Sequence, residues 1–196
     1  MRILVIGATG TIGKEVVAAL SNGNEIVGVS LKSTRITVDI SNVDSIKKMY
    51  ASAGKVDAVI SAAGDARFKP LDQLTDDDFL YTLQNKLMGQ VNVVRYGWEN
   101  VNDGGSFTLT SGVLAQKPMQ GSGVVSLVNA GLEGFGRAAA NEAPRGIRVN
   151  VVSPPWVRET LIAYRMDPSI GMPAREVARA YVTAVTGNAS GTVLSP

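Results

Sequence analysis

The stretch Arg2-Ile3-Leu4-Val5-Ile6-Gly7-Ala8-Thr9-Gly10-Thr11-Ile12-Gly13 decides the fold of this chain. Its apolar residues 3–6 predict a short buried strand, and the residues after Thr11 have the apolar spacing of a helix. Glycines between a strand and a helix let main-chain N–H groups approach an anion at the helix N-terminus. The context predicts a phosphate-binding turn made by Gly7, Thr9, Gly10, Thr11, Ile12 and Gly13. A tight turn that serves packing alone is the alternative.

Short apolar runs and longer segments of helical period alternate along the rest of the chain. The predicted strands are residues 3–6, 25–29, 56–60, 106–110, 147–152 and 191–194. The predicted helices are residues 11–21, 43–52, 75–98, 124–143 and 173–186. This alternation predicts an α/β fold, in which a doubly wound parallel sheet of about seven strands carries helices on both faces. We expect one Rossmann-type domain over residues 1–196.

Composition excludes several classes of function. The 19 basic and 17 acidic residues form no run of one sign, so no nucleic-acid or membrane partner is expected. The chain has no cysteine and no histidine, which excludes thiol catalysis and Ser-His-Asp chemistry and argues against a metal site. The first apolar run is too short for a secretion signal, and we expect a soluble cytoplasmic protein.

The end of the second predicted strand bears on which dinucleotide would bind. A carboxylate there would suit the ribose 2′-hydroxyl of NAD, whereas basic residues suit the 2′-phosphate of NADP. The sequence has Lys32, Ser33 and Arg35 at this place and no acid before Asp39. Lys32 and Ser33 are therefore predicted phosphate ligands, and NADP(H) is preferred, with NAD(H) as the alternative cofactor. A solvated loop with incidental charges is the other interpretation.

With these motifs in order, the chain resembles the short-chain dehydrogenase/reductase family over nearly its whole length. The resemblance implies that Asp39 and Ile40 bind the adenine end of the cofactor. It implies that the segment Ser61-Ala62-Ala63-Gly64 lies along the adenosine ribose, with Ser61 in place of the usual Asn. It makes Ser111 the candidate active-site serine, and it assigns Pro154, Trp156 and Val157 to the loop around the nicotinamide.

The chain departs from the family at the catalytic pair. The family's Tyr-x-x-x-Lys motif aligns with Val125 and Asn129, so the usual proton donor and its lysine are absent. The family's active-site Asn aligns with Lys86, which we predict supplies positive charge or a proton to a developing oxyanion. An exposed lysine, or one paired with residues 76–78, is the alternative for Lys86.

Two functions remain open from the sequence. One is an NADP(H)-dependent oxidoreductase that transfers a hydride to or from a small carbonyl, quinone or flavin-like substrate, with Ser111 and Lys86 as catalytic residues. The other is a catalytically inactive NADP(H)-binding sensor or partner-binding protein. Tyr164 is a candidate replacement acid or a packing residue, and Trp156 is a candidate substrate wall or a packing residue. The family resemblance implies a homodimer or homotetramer.

Overall fold

The computed structural model describes residues 1–196 and contains a single parallel sheet of seven strands. The strands are β1 (Arg2–Ile6), β2 (Glu25–Ser30), β3 (Ile36–Thr37), β4 (Val56–Ser61), β5 (Val101–Thr110), β6 (Arg148–Val152) and β7 (Val193–Leu194). Their spatial order is β3-β2-β1-β4-β5-β6-β7, so the chain winds outward in both directions from β1 and β4. This arrangement confirms the predicted fold class.

Helices connect the strands and cover both faces of the sheet. They are α1 (Thr11–Leu20), α2 (Val43–Ala53), α3 (Asp76–Thr82), α4 (Gly89–Arg95), α5 (Gly123–Glu142), α6 (Arg158–Ala163) and α7 (Ala174–Thr186). None of these helices combines the length and the apolar character that crossing a membrane requires.

The two sides of each central strand enter two separate apolar cores. In β1, Ile3 and Val5 pack with the α1 and α7 side chains, among them Val16 and the fully buried Tyr181. Leu4 and the other alternate positions belong to a larger cluster beneath α2, α4 and α5. A strand buried on both faces explains why its sequence is a continuous apolar run.

The long helix predicted over residues 75–98 is interrupted in the structure. It begins as expected at Thr75, whose hydroxyl accepts from the Asp78 N–H at 3.2 Å while Asp78 accepts from the Thr75 N–H at 3.0 Å. A π-helical turn, Leu83–Met88, then separates α3 from α4. The wider turn places Lys86 in the segment that borders the site described below.

The carboxyl ends of the central strands meet at one edge of the sheet. Ile6 of β1 is level with Val29 of β2 and with Ser61 of β4. Thr110 of β5 is level with Val152 of β6. The segments that follow these strands therefore converge near β1 and β4, where the strand order reverses, and open α/β sheets bind ligands at such a point.

Candidate functional site

The glycine turn after β1 has no room for a side chain at Gly7 or at Gly13. Gly7 has φ +85°, and a Cβ atom there would lie 2.8 Å from the Ala62 carbonyl oxygen. A Cβ atom on Gly13 would lie 1.9 Å from the Gly7 carbonyl oxygen. Glycine at these positions lets α1 pack directly against the end of β1. The main chains of both elements then reach the edge of the sheet where the carboxyl ends of the strands meet.

The N-terminus of α1 presents main-chain N–H groups that are available as hydrogen-bond donors. Gly10, the N-cap residue, provides no side-chain cap. The N–H groups of Thr11, Ile12 and Gly13 make no main-chain hydrogen bond, whereas the Lys14 N–H donates to the Gly10 carbonyl at 3.0 Å. Thr9 and Gly10 are exposed. Uncapped N–H groups at a glycine turn fit the pyrophosphate of a dinucleotide.

The loop after β2 presents its two basic residues, Lys32 and Arg35, to solvent. Lys32 and Ser33 are exposed, and Ser33 adopts φ +65°. Two hydrogen bonds from Ser30, at the end of β2, fix the loop. The Ser30 N–H donates to the Thr34 hydroxyl at 3.0 Å, and the Ser30 hydroxyl donates to the Lys32 carbonyl. The main chain is thus fixed while both predicted phosphate ligands stay accessible.

The segments predicted to bind the adenine and the ribose lie on either side of the glycine turn. Asp39 is half-buried, and its Oδ1 accepts from the N–H and hydroxyl of Ser41 at 2.9 and 2.6 Å. Ile40 is buried. The Ala62 N–H donates to the Ile6 carbonyl at 2.9 Å, which continues the β1–β4 pairing into the ribose segment. The Ser61 hydroxyl is buried there without a hydrogen-bond partner.

A cavity of about 440 Å³ opens beside the glycine turn. Thr11 and Ile12 of the turn form part of its wall, so the cavity reaches the predicted phosphate-binding turn. Its other walls come from the segments after β4, β5 and β6, from the π-helical turn, and from α5 and α6. The wall residues from these parts include Ala62, Ala63, Gly64, Lys86, Ser111, Val125, Asn129, Pro154, Trp156, Val157 and Tyr164.

Lys86 is half-buried in the wall of this cavity and has no carboxylate partner. Its Nζ donates to the Ser111 carbonyl at 3.4 Å, and it takes part in none of the five ion pairs of the chain. Of the three aspartates at 76–78, Asp78 pairs with Lys69 at 2.8 Å and with Arg67 at 3.6 Å. Burial lowers the pKa of Lys86 to about 8, although the nearby Asp65 carboxylate acts to raise it.

Ser111 reaches the cavity wall, but its hydroxyl points to a buried carboxylate. Ser111 Oγ donates to Glu133 Oε1 at 3.1 Å, and Ser153 Oγ donates to the same oxygen at 3.1 Å. The Gln116 amide donates to Glu133 Oε2 at 3.2 Å. Glu133, on α5, therefore joins the segments after β5 and β6. Whether Ser111 orients a substrate oxygen stays a prediction.

Val125 and Asn129, the two positions predicted to align with the family's catalytic pair, both line the cavity. Val125 offers only an apolar side chain there. Asn129 is buried, and its Nδ2 donates to the Gly112 carbonyl at 3.4 Å while its Oδ1 has no partner. At these positions α5 thus contributes one amide and no titratable group.

The loop after β6 closes the remaining side. The Val113 N–H donates to the Pro154 carbonyl at 2.8 Å, and Trp156 packs edge-on against Phe68 with ring centroids 6.2 Å apart. Tyr164 is 62% exposed at the mouth of the cavity. An aromatic pair and an exposed phenol suit an open, mainly apolar binding wall.

Gln90 is a site residue that sequence reasoning missed. Its side-chain Nε2 donates to the Thr110 carbonyl at 2.8 Å and to the Lys86 carbonyl at 3.3 Å, and its Oε1 accepts from the Thr110 N–H at 2.8 Å. Gln90 thereby fastens the π-helical turn to the end of β5. A polar residue within the apolar run of α4 was the available signal.

The sheet order, the glycine turn and the cavity at its carboxyl edge define a Rossmann domain. A family model described as enoyl-(acyl carrier protein) reductase matches residues 11–185. The chain belongs to the short-chain dehydrogenase/reductase family, as its motifs predict.

Curated relatives of the chain are reductases. Hydroxynaphthalene reductase arp2 from Aspergillus fumigatus is 28% identical over 158 residues, which cover 79% of this chain and 56% of the relative. Carbonyl reductase family member 4 from Danio rerio is 31% identical over 134 residues, which cover 65% of this chain and 56% of the relative. The chain thus spans little more than half the length of these relatives.

Solved structures match the whole chain. The protein lin1944 from Listeria innocua superimposes with a TM-score of 0.96 at 41% identity, covering 100% of this chain and 98% of that one. A small-chain dehydrogenase in complex with NADPH superimposes with a TM-score of 0.89 at 26% identity, covering 100% of this chain and 96% of that one.

Proposed function

We propose that the protein is an NADP(H)-dependent oxidoreductase acting on a small carbonyl, quinone or flavin-like substrate. The observation that carries this proposal is the continuity between the uncapped N-terminus of α1 and the cavity that contains Lys86. One side of this space suits a pyrophosphate, and the other suits a small apolar molecule. The bound nicotinamide would supply or accept the hydride.

The preference for NADP(H) rests on the loop after β2. The exposed Lys32 ammonium and Ser33 hydroxyl suit a 2′-phosphate, and no acidic side chain stands in that loop. The solved relative that holds NADPH supports a phosphorylated cofactor. Asp39 and Ile40, with the segment from Ser61 to Gly64, would hold the adenosine. Pro154, Trp156 and Val157 would border the nicotinamide.

Lys86 would be the catalytic residue in place of the missing tyrosine. At neutral pH Lys86 is protonated in most molecules, and its ammonium can stabilise an oxyanion or donate a proton to it. Its pKa of about 8 is much closer to neutral pH than that of an unperturbed tyrosine. Ser111 would contribute its carbonyl, which accepts from Lys86, while its hydroxyl remains with Glu133.

A second function, an inactive NADP(H)-binding sensor, is favoured by one observation. Val125 and Asn129 provide no proton donor of the family's kind at the cavity wall. Such a protein would bind the dinucleotide and use its redox state to alter a surface that another macromolecule recognises.

Fluorescence titration with NADPH and NADH, followed by an acceptor screen at 340 nm, tests both functions. We expect NADPH to bind at least about tenfold more tightly than NADH, and Lys32→Ala to remove this preference while Lys48→Ala, an exposed lysine on α2, leaves it intact. Failure of both nucleotides to bind would overturn the proposal. Binding without turnover of carbonyl, quinone or flavin acceptors, unchanged in Lys86→Met, would favour the sensor.

A further inference from the structure

The cavity wall gives Lys86 surroundings that surface lysines do not have. The same wall contains the uncharged residues Val125, Phe68 and Trp156, and one carboxylate, Asp65. The only hydrogen bond of Nζ is the 3.4 Å contact to the Ser111 carbonyl, which also suits a neutral amine as donor. The side chain is therefore held at the cavity wall without an ion pair, and the nearby Asp65 carboxylate is the one anion that favours its protonated form.

The charged and titratable groups around Lys86 are few. Asp65, from the segment after β4, is the carboxylate that acts on it, and this carboxylate accepts from the Tyr81 hydroxyl at 2.7 Å. Tyr164 faces the cavity from the end of α6. Glu133 lies behind Ser111 and is occupied by three hydrogen bonds from Ser111, Ser153 and Gln116. None of these carboxylates forms an ion pair with Lys86.

We infer that Lys86 is a carbonyl-capturing residue, whose neutral amine forms a reversible imine with a small, mainly apolar aldehyde or ketone in the cavity. The nitrogen lone pair forms the C–N bond at the carbonyl carbon. Both protons of the amine end on the carbonyl oxygen, which leaves as water, and no oxidant or reductant is consumed. Lysines in apolar pockets are the ones that carry out this chemistry in proteins.

The acid–base state of Lys86 favours the reaction near neutral pH. With a pKa of about 8, about one Lys86 in ten is neutral at pH 7, against about one in 3,000 for a lysine of pKa 10.5. The inference goes beyond the proposed oxidoreductase, because it requires the cavity and the amine but no dinucleotide. It selects carbonyl compounds from the three substrate classes considered above.

Reductive trapping tests the inference without any nucleotide. The full chain is incubated at pH 7 with benzaldehyde and sodium cyanoborohydride, and the adduct at each lysine is measured by peptide mass spectrometry. We expect at least about tenfold more adduct on Lys86 than on Lys48 or Lys117, which are exposed. The adduct on every lysine should fall as the pH is lowered, whereas the excess on Lys86 should narrow as the pH is raised through about 8 toward 10.5. The excess should disappear in urea, where burial no longer distinguishes Lys86.

Two outcomes contradict the inference: equal labelling of Lys86 and the exposed lysines in the folded chain, or an excess that persists in urea. Lys86→Arg keeps the positive charge but cannot form an imine, so this variant should lose carbon-13 imine signals from labelled benzaldehyde. NADPH titration of the same samples separates this test from that of the proposed function. A chain that binds NADPH but does not trap benzaldehyde at Lys86 overturns the imine alone.

Discussion

The side-chain amide of Gln90 pairs with both main-chain groups of Thr110, with two hydrogen bonds of 2.8 Å. Gln90 is fully buried, so leucine in its place would leave the Thr110 N–H and carbonyl without these partners. We expect Gln90→Leu to lower the free energy of unfolding by about 3 kcal/mol, measured by urea denaturation. Gln84→Leu, an exposed position in the π-helical turn, should change it by less than about 0.5 kcal/mol. Similar losses in the two variants would contradict this role for Gln90.

Glu133 is a second buried polar residue with a structural consequence. Replacement by alanine would leave the Ser111 and Ser153 hydroxyls without their carboxylate acceptor. We expect Glu133→Ala to destabilise the chain by about 2–4 kcal/mol, as measured by urea denaturation. Glu142→Ala, an exposed change on the same helix, is the control and should alter stability by no more than about 0.5 kcal/mol. A mild effect at Glu133 would show that the segments after β5 and β6 do not depend on this carboxylate.

The two glycines Gly13 and Gly134 should respond oppositely to alanine. A Cβ atom on Gly13 would overlap the Gly7 carbonyl, so Gly13→Ala must displace the glycine turn and weaken NADPH binding by at least about tenfold. A Cβ atom on Gly134 would meet no atom within 4 Å, and this helical position should gain about 0.5–1 kcal/mol of stability. Thermal unfolding and fluorescence titration measure the two effects. Unchanged NADPH affinity in Gly13→Ala would count against a phosphate-binding turn.

Turnover that depends on the Lys86 ammonium should fall as the pH rises through about 8, because the charged fraction falls there. The measurement is the pH dependence of kcat at saturating NADPH, with the best acceptor from the screen. Lys86→Met should reduce kcat by about 100-fold and should abolish the decrease of kcat between pH 7 and about 9. Lys86→Arg should keep its residual rate constant across the same range, since guanidinium does not titrate there. A wild-type rate that is flat between pH 7 and about 9 would exclude the ammonium as the acid.

The contribution of Lys86 to the stability of the fold should rise with pH, whereas turnover should fall. Its pKa is lower in the folded chain than the usual 10.5, so the unfolded chain binds more protons between about 8 and 10.5. The stability contributed by this group therefore rises with pH across that window. We expect Lys86→Met to raise Tm at pH 7 and to lose most of this advantage at about pH 10.5. Differential scanning calorimetry at the two pH values checks this, and a Tm difference independent of pH would contradict it.

The sequence predicts the sheet and the phosphate turn because local patterns encode them. Apolar runs bounded by glycine identified the central strands, and Thr75 followed by acidic residues identified the start of α3. The edge strand β3, Ile36–Thr37, is too short to show an alternating pattern, and α6 is only six residues long. Neither element is long enough to show a periodic apolar pattern, so neither was predicted.

The polar interior of the site could not be predicted in the same way. Glu133 carries a charge within a helix, which usually indicates a solvent-exposed position. Its burial depends on hydroxyl donors from Ser111 and Ser153, residues 22 and 20 positions away in the chain. Lys86 was recognised only through the family resemblance, and its low pKa depends on the packing of segments that are distant in sequence.

The π-helical turn, Leu83–Met88, has a consequence for how this chain tolerates insertions and deletions. Successive residues of an α-helix are rotated by about 100°, so removing one residue from this turn would change the helical phase between Lys86 and Gln90. Gln90 is locked to β5 and α4 is buried along most of its length, so the rotation would fall on the preceding segment. A shift of that size would turn the Lys86 amine away from the cavity. The chemistry proposed for Lys86 thus depends on the number of residues between Lys86 and Gln90 as much as on the identity of these two residues.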